Sequence, residues 1–507
     1  MALDTHMLII GAGMSGICTA IQMIRQHKSR NFVIIEKSTE LGGTWAANTY
    51  PGCGCDVPSH FYSYSFALKP DWSQKFAMQP EILSYFEEVA DSYDIKNHIR
   101  FESTVESAHW DVNSASWIVK IHHDASNDVL SLRAKILVSA VGSLSIPKQC
   151  GIPGASNFTG RIFHTAKWDH SFDWEGKTVV VVGNGCSATQ LVPAISEGPR
   201  AARKVIQFGN QAHWLAERPN PKYSSSFKWA MQWIPLAMRL YRAFIYGAKE
   251  RGFRSYDIES GAKYRAKDQK AATEYIRKHA PAEYCDFLVP KIEIGCKRMV
   301  NDTEYLASLH RENVELMHRD PIEHIESIGV RTRSGRLIEA DAIILATGFE
   351  TQKVLAPMKI YGEKGLSVND HWQKVSDGIP SAYLGTCLEG FPNFFVMMGP
   401  NTLSGHLSVI FTTECQVNAV IQLIRPIIKT LHGKATRAAQ VISVKPEAER
   451  RDLLLTQTKA RRLVWATGCS SWFLDPVTGR NSIMFPDYQF KFWLRSSWIS
   501  WDDFIYE

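Results

Sequence analysis

Met7-Leu-Ile-Ile-Gly-Ala-Gly-Met-Ser-Gly16 decides the fold. Four apolar residues make a short strand, the glycines make a G-x-G-x-x-G turn, and Ile17 to Ile24 follows with apolar residues at helical spacing. Gly11 permits the tight turn, Gly13 lets the backbone approach a pyrophosphate, and Gly16 lets helix and strand pack closely. The helix N-terminus then offers free N–H groups to phosphate. Such a motif is weak by itself. Phe32-Val-Ile-Ile-Glu36 strengthens it, because this second strand ends in an acid 25 positions after Gly11, where a carboxylate accepts both ribose hydroxyls.

Further along, Lys177-Thr-Val-Val-Val-Val-Gly-Asn-Gly-Cys-Ser-Ala188 repeats the pattern as G-x-G-x-x-A, so Gly183, Gly185, Ser187 and Ala188 form a second phosphate turn. Its own second strand is Lys204-Val-Ile-Gln-Phe208, and Phe208 occupies the place of the ribose-binding acid. A carboxylate there would repel a 2′-phosphate, so its absence favours NADPH over NADH. Ala134 to Gly142 and Asp341 to Gly348 read as strands that return beside the first and second fold, the latter ending in Thr347 and Gly348.

These elements predict an α/β protein with two Rossmann-like dinucleotide-binding domains, the second inserted into the first, and a helical insertion. The expected boundaries are 1–150 and 348–507 for the FAD-binding domain, 151–221 and 291–347 for the NADP-binding domain, and 222–290 for the helical insertion. Phe227 to Lys249 interleaves aromatic and basic residues. The reading adopted is a helix pair packed on the nucleotide domains and broken at Pro235; a segment on a membrane surface, or a lid over a greasy substrate, is the alternative.

A chain of 507 residues is long enough for several domains, and 45% hydrophobic with 21% charged residues is ordinary globular composition. A net charge of +6 over this length is no dense basic face, so nucleic acid is not expected as a partner. The N-terminus lacks a basic leader region and no apolar run reaches membrane-spanning length, which predicts a soluble, cytoplasmic protein. Ten scattered cysteines (18, 53, 55, 150, 186, 285, 296, 387, 415 and 469) include no C-x-x-C pair and no Cys/His cluster at zinc spacing. The expectation is reduced thiols and no metal, with Cys53 and Cys55 as two buried loop thiols.

Phe158-Thr-Gly160-Arg-Ile-Phe-His164-Thr-Ala-Lys-Trp168-Asp169 matches F-x-G-x-x-x-H-x-x-x-W-[P/D], and with it the chain resembles the Baeyer-Villiger monooxygenases, class B flavoproteins, and fungal members above all. The resemblance extends over Gly42-Gly43-Thr44-Trp45, Tyr50-Pro51-Gly52, Cys55 to Ser59, Tyr62 to Phe66, Gly295-Cys-Lys-Arg298, Ala346 to Phe349, Gly399-Pro400 and Gly405 to Thr412. It implies that NADPH reduces FAD, that the reduced flavin captures O2 as a C4a-peroxide, and that a ketone becomes an ester or lactone. Aromatic residues in the insertion and in the tail (Trp472, Phe492, Trp493, Trp498, Trp501 and Tyr506) point to a bulky, apolar ketone as the small-molecule substrate. The resemblance to fungal members implies secondary metabolism, and the protein is expected to be a monomer or homodimer.

By the same resemblance Arg298 is the catalytic arginine, Asp56 the carboxylate that holds it, and Lys297 a contact on the coenzyme's phosphate side. Gly43, Thr44, Trp45, Asp56 and Tyr62 join the cofactor-binding set. A guanidinium suits the role because it stays protonated in a dry pocket. His164 and Trp168 read as a linker that transmits domain motion, His164 within a hydrogen-bond network and Trp168 as packing. One departure stands out: family members carry an arginine just after the second strand of the nicotinamide domain, and this chain has Asn210. Arg203, Lys204, Arg218 and Lys297 are the candidates to compensate. The competing activities are an N- or S-oxygenase on the same scaffold, a disulfide reductase, which the missing C-x-x-C excludes, and an inactive nucleotide-binding relative.

Overall fold

In the computed structural model, residues 3–435, 438–469 and 471–507 are described. The first strand, β1 (Thr5–Ile10), leads through the glycine turn into α1 (Met14–His27) and back into β2 (Phe32–Ile35). β2 pairs parallel with β1 and also with the short β3 (Ile99–Arg100). β4 (Ser103–Asp111), β5 (Ser116–His123) and β6 (Asp128–Ser139) form an antiparallel meander. The second half of β6 turns back beside β1, with Met7 opposite Ile136 and Ile10 opposite Ser139. Phe394–Val396 takes the other edge of β6. Met7, Ile9, Ile34, Ile136 and Val138 are fully enclosed, as parallel strands covered on both faces must be.

The second sheet is built wholly from residues that lie between β6 and Phe394. β7 (Arg161–His164), β8 (Thr178–Val182) and β9 (Lys204–Phe208) join Val314–Met317 and Ala342–Leu345 in an all-parallel sheet whose order from one edge is Val314–Met317, β9, β8, Ala342–Leu345, β7. The run Thr178-Val-Val-Val-Val182 is buried almost throughout, and β-branched residues suit a strand enclosed on both faces. Cys186–Ile195 is the helix after the second glycine turn.

The segment after β9 is helical: Ser225–Trp233, Ala237–Arg251, Ala262–His279 and Cys285–Leu288. Ser224 caps the first helix by accepting from the Phe227 N–H at 3.2 Å. Pro235 lies in the break, and Leu236 beside it takes a left-handed conformation with φ +64°. This pair packs through one side only. Ile245 is buried, and Tyr246 meets Phe61 and Phe411 at ring separations of 6.1 and 5.3 Å. The opposite side of both helices carries large apolar residues into solvent, which the packed-pair expectation did not foresee. No helix among the described residues is long and apolar enough to cross a membrane.

Candidate functional site

The first glycine turn is shaped to take a chain of phosphates. Gly11 has φ +103°, and a Cβ there would lie 2.8 Å from the Ala140 carbonyl oxygen. Gly13 is the N-cap of α1 with no side chain capping it and no acid in the first turn, so the helix's free N–H groups are uncovered by protein side chains. Gly16 sits where the helix crosses the strand. The loop Gly42-Gly43-Thr44-Trp45 closes over this turn so tightly that a Cβ on Gly43 would come within 2.9 Å of the Gly13 Cα. Glu36 is buried, accepting from the Ala12 N–H at 2.7 Å and from the Ser38 N–H at 2.9 Å. A carboxylate has about four acceptor positions, so two remain for sugar hydroxyls. Beyond the loop, Trp45 Nε1 donates to the Tyr62 hydroxyl at 3.0 Å, and both rings are buried.

The second turn repeats this arrangement. Gly183 has φ +117°, with the Ala346 carbonyl oxygen 2.5 Å from where a Cβ would stand. Gly185 is the N-cap of Cys186–Ile195, again without a side-chain cap, and Ser187 and Ala188 lie in the first turn. Thr347, at the end of the neighbouring strand, has a buried hydroxyl oxygen with no partner within the protein. At the carboxyl edge of a parallel sheet, where nucleotides bind, this hydroxyl is available to a ligand. These residues fit a second dinucleotide.

His164 connects the two halves. Its Nε2 donates to the Gly348 carbonyl at 3.1 Å and its Nδ1 accepts from the Ala166 N–H at 3.0 Å, a pairing that requires the neutral ring. Burial lowers its pKa, which keeps it neutral. Trp168 packs edge-on to Phe163 at 5.1 Å and to Trp174 at 6.1 Å. Both residues are therefore occupied by the protein itself.

Phe208 is buried in the core of the second sheet, leaving no acid at the ribose position. Of the four cations expected to compensate for Asn210, three are misplaced. Arg203 donates to Thr178 Oγ1, and Lys204 reaches the Glu312 carbonyl, both at the amino ends of β8 and β9, whereas nucleotides bind at carboxyl ends. Arg218 is buried and donates to the Cys55 carbonyl at 2.6 Å. Lys297 alone reaches the loop that holds Asn210, where its ammonium group donates to Gln211. Asn184 Nδ2 holds the same residue through the Gln211 carbonyl at 2.6 Å.

Arg298 and Asp56, 242 residues apart, meet as a hydrogen-bonded ion pair with a little over a quarter of each side chain accessible. Burial pushes the Asp56 carboxyl up, but the Arg298 guanidinium and nearby cations outweigh that and hold it below the usual carboxylate range. The Asp56 charge raises the Arg298 pKa in turn, so both groups stay ionised across the physiological range. The loop beneath Asp56 is fastened from the second domain. Arg218 takes the Cys55 carbonyl, Asn301 Nδ2 donates to the Asp56 carbonyl at 3.3 Å, and Gln190 Nε2 donates to the Gly54 carbonyl at 3.0 Å. Gln190 also accepts from the Tyr50 hydroxyl at 2.7 Å.

Sequence reasoning missed Gln190, Asn301 and Lys249, the last lying close enough to lower the Asp56 pKa. No local motif marks them. The expectation that all ten cysteines are free needs correcting as well: Cys296, beside Lys297, is disulfide-bonded to Cys469. A separation of 173 residues hid that pairing, since only the fold brings the two Cα atoms to 6.1 Å. Cys53 and Cys55 are free and buried, and burial raises both thiols, Cys53 to about 12.

The family model described as flavin-binding monooxygenase-like matches residues 4–241. An FAD-binding monooxygenase, ktnD of Aspergillus niger, is 34% identical over 98% of this chain and 81% of its own. A Baeyer-Villiger monooxygenase of Pseudomonas aeruginosa is 34% identical over 96% of this chain and 88% of its own. The structure of cyclohexanone monooxygenase from Rhodococcus sp. Phi1 bound to NADP+ superposes with a TM-score of 0.85 at 25% identity, covering all of both chains. With near-complete coverage of relatives at this identity, and with two glycine turns whose geometry is that of paired dinucleotide sites, the chain belongs to the flavin-dependent monooxygenases of the Baeyer-Villiger type.

Proposed function

We propose that this protein binds FAD at the first glycine turn and NADPH at the second, and inserts oxygen beside the carbonyl of a bulky, apolar ketone to give an ester or lactone. The observation that supports the reading is the Arg298–Asp56 ion pair, which joins residues 242 positions apart and stays ionised while partly open to solvent. When bound, FAD supplies the activation of O2 and NADPH the hydride.

The chain's own residues do the rest. Gly11, Gly13, Gly16 and the loop through Gly43 and Thr44 hold the FAD pyrophosphate, and Glu36 the adjoining ribose. Trp45 and Tyr62 form an apolar wall whose one hydroxyl is satisfied internally, which excludes water. Gly183, Gly185, Ser187, Ala188, Thr347 and Gly348 hold the second dinucleotide, with Lys297 as the cation on its 2′-phosphate side. Arg298 provides a permanent positive charge where a carbonyl oxygen becomes an oxyanion, and such preorganised charge needs no reorganisation during reaction. Asp56 positions the guanidinium and takes no proton, because Arg298 keeps its carboxyl ionised.

The experiment is NADPH consumption with purified holoenzyme across a panel of cyclic, aryl and polycyclic ketones, with product masses recorded. A mass gain of one oxygen on a ketone, dependent on NADPH and O2, supports the reading. Oxygenation confined to amines and sulfides would replace it with the N- or S-oxygenase.

A further inference from the structure

The hairpin Ser225–Trp233 and Ala237–Arg251 presents a side that no part of the protein covers. Leu236, Leu240 and Phe244 recur at four-residue spacing along the second helix and are 64, 68 and 71% exposed. Trp229 and Trp233 do the same on the first helix, at 60 and 64%. The turn between the helices is itself bare: Gln232, Trp233, Ile234, Pro235 and Leu236 are five consecutive exposed residues, four of them apolar. Scattered single hydrophobic residues on a surface need no explanation, but a contiguous set of this size marks a surface that meets something.

Charge narrows what that something is. From Arg218 to Lys249 the chain carries six cations and no Asp or Glu. Three are taken up by the protein body: Arg218 donates to the Cys55 carbonyl, Arg242 to Ser63 Oγ at 2.8 Å, and Lys249 is half-buried. The other three, Lys222, Lys228 and Arg239, make no ion pair among the described residues. An apolar helical face with tryptophans at its end, bordered by unpaired cations and free of acids, matches the interface of an anionic bilayer.

We infer that the hairpin turn and the outer faces of its two helices dock on the surface of a negatively charged lipid bilayer, with Trp229, Trp233, Leu236, Leu240 and Phe244 entering the headgroup layer and Lys222, Lys228 and Arg239 meeting lipid phosphate. The inference does not depend on which substrate the enzyme oxidises. The far end of the second helix is fixed to the protein body, where Glu250 accepts from His406 Nε2 at 3.0 Å and from the Phe490 N–H at 3.0 Å. At 1.5 Å per residue, Leu236 stands about 20 Å along the axis from Lys249, so the exposed turn and the anchored end of the helix are well separated.

The test is flotation of the FAD-loaded full chain with vesicles of phosphatidylcholine alone, or containing about 30% phosphatidylserine, at low salt and at about 0.15 M. Wild type should float with the anionic vesicles and less so at the higher salt. Trp233→Ser/Leu240→Ser/Phe244→Ser should weaken that binding on the order of tenfold or more while retaining its flavin absorbance, since none of the three side chains packs inside. Lys228→Glu/Arg239→Glu should lose the preference for anionic vesicles. Three results would overturn the inference: wild type that floats with no vesicle, a triple variant that floats as wild type does, and equal binding to neutral and anionic lipid. A wild-type dimer that ignores vesicles and is dissociated by the triple variant would assign the face to a second copy of the chain instead.

Discussion

Replacing Arg298 by alanine separates flavin binding and reduction from oxygen insertion. The guanidinium is the positive member of a pair whose partner, Asp56, would lose the main charge that holds its carboxyl below the usual range. Two unit charges about 4 Å apart attract by about 4 kcal/mol at an effective dielectric constant near 20. The developing oxyanion would stand in the same relation to Arg298. With a little over a quarter of the side chain accessible, solvent reduces the figure, so about 3 to 4 kcal/mol is the range to carry forward. At about 1.4 kcal/mol per decade, that is a loss of roughly 100- to 1,000-fold in the insertion step. FAD content should be unchanged, because neither phosphate turn uses Arg298, and NADPH oxidation should continue with release of hydrogen peroxide. Stopped-flow absorbance, peroxide assay and product analysis on one preparation would measure all three. Ester formed from a ketone at wild-type yield by the variant would refute the electrostatic role assigned here and would move the N- or S-oxygenase to first place.

The other predictions follow from the same geometry. Gly13→Val should yield protein without bound flavin, because a Cβ there is already 3.4 Å from the Gly43 Cα and a branched side chain fills the pyrophosphate path; the ratio of flavin to protein absorbance reads this directly. Lys297→Ala should raise the KM for NADPH about tenfold, as loss of one charge-assisted contact does, and leave that for NADH nearly unchanged. Asn210→Arg should lower the KM for NADPH alone, since Asn210 is exposed on the loop that Lys297 reaches. Asp56 is an acid whose folded pKa is depressed, so the stability it contributes is complete above its unfolded value of about 3.9 and is lost as pH falls through the lower folded value. Product yield per NADPH should therefore show no Asp56 titration between about pH 5 and 9, and a step in yield near pH 6 would assign control to another group.

The two nucleotide folds were legible because each is written within about 30 consecutive residues: strand, glycine turn, helix and second strand are local, and local order survives in a sequence. The Arg298–Asp56 pair spans 242 residues and is visible only through family motifs; no periodicity connects the two positions. Gln190 lies on a helix that was predicted, yet its contacts to Tyr50 and Gly54 depend on how two domains meet. By sequence alone Arg203, Lys204, Arg218 and Lys297 are equivalent replacements for an arginine at Asn210, because sequence distance says nothing about which end of a parallel strand a side chain occupies. The Cys296–Cys469 bond was hidden for the same reason. Aromatic and basic residues on both faces of the hairpin made its solvent side indistinguishable from its packed side until the fold was seen.

The placement of Phe394–Val396 on the free edge of β6 governs how the protein is made. Leu137 N–H donates to the Asn393 carbonyl at 3.0 Å, and Asn393 Nδ2 returns a bond to the Lys135 carbonyl across 258 residues of intervening chain. A ribosome that has finished β6 has thus produced a half-sheet whose edge, lined by Ile136, Leu137 and Val138, stays open until the entire second domain has emerged. The inserted domain must close on itself first and bring its two ends together, or the late strand has nowhere to dock. Chains interrupted in that interval expose a flat apolar edge, the form most prone to pair with a neighbouring nascent chain. Synthesis slowed between residues 140 and 393 lengthens that exposure and should favour aggregate over soluble enzyme.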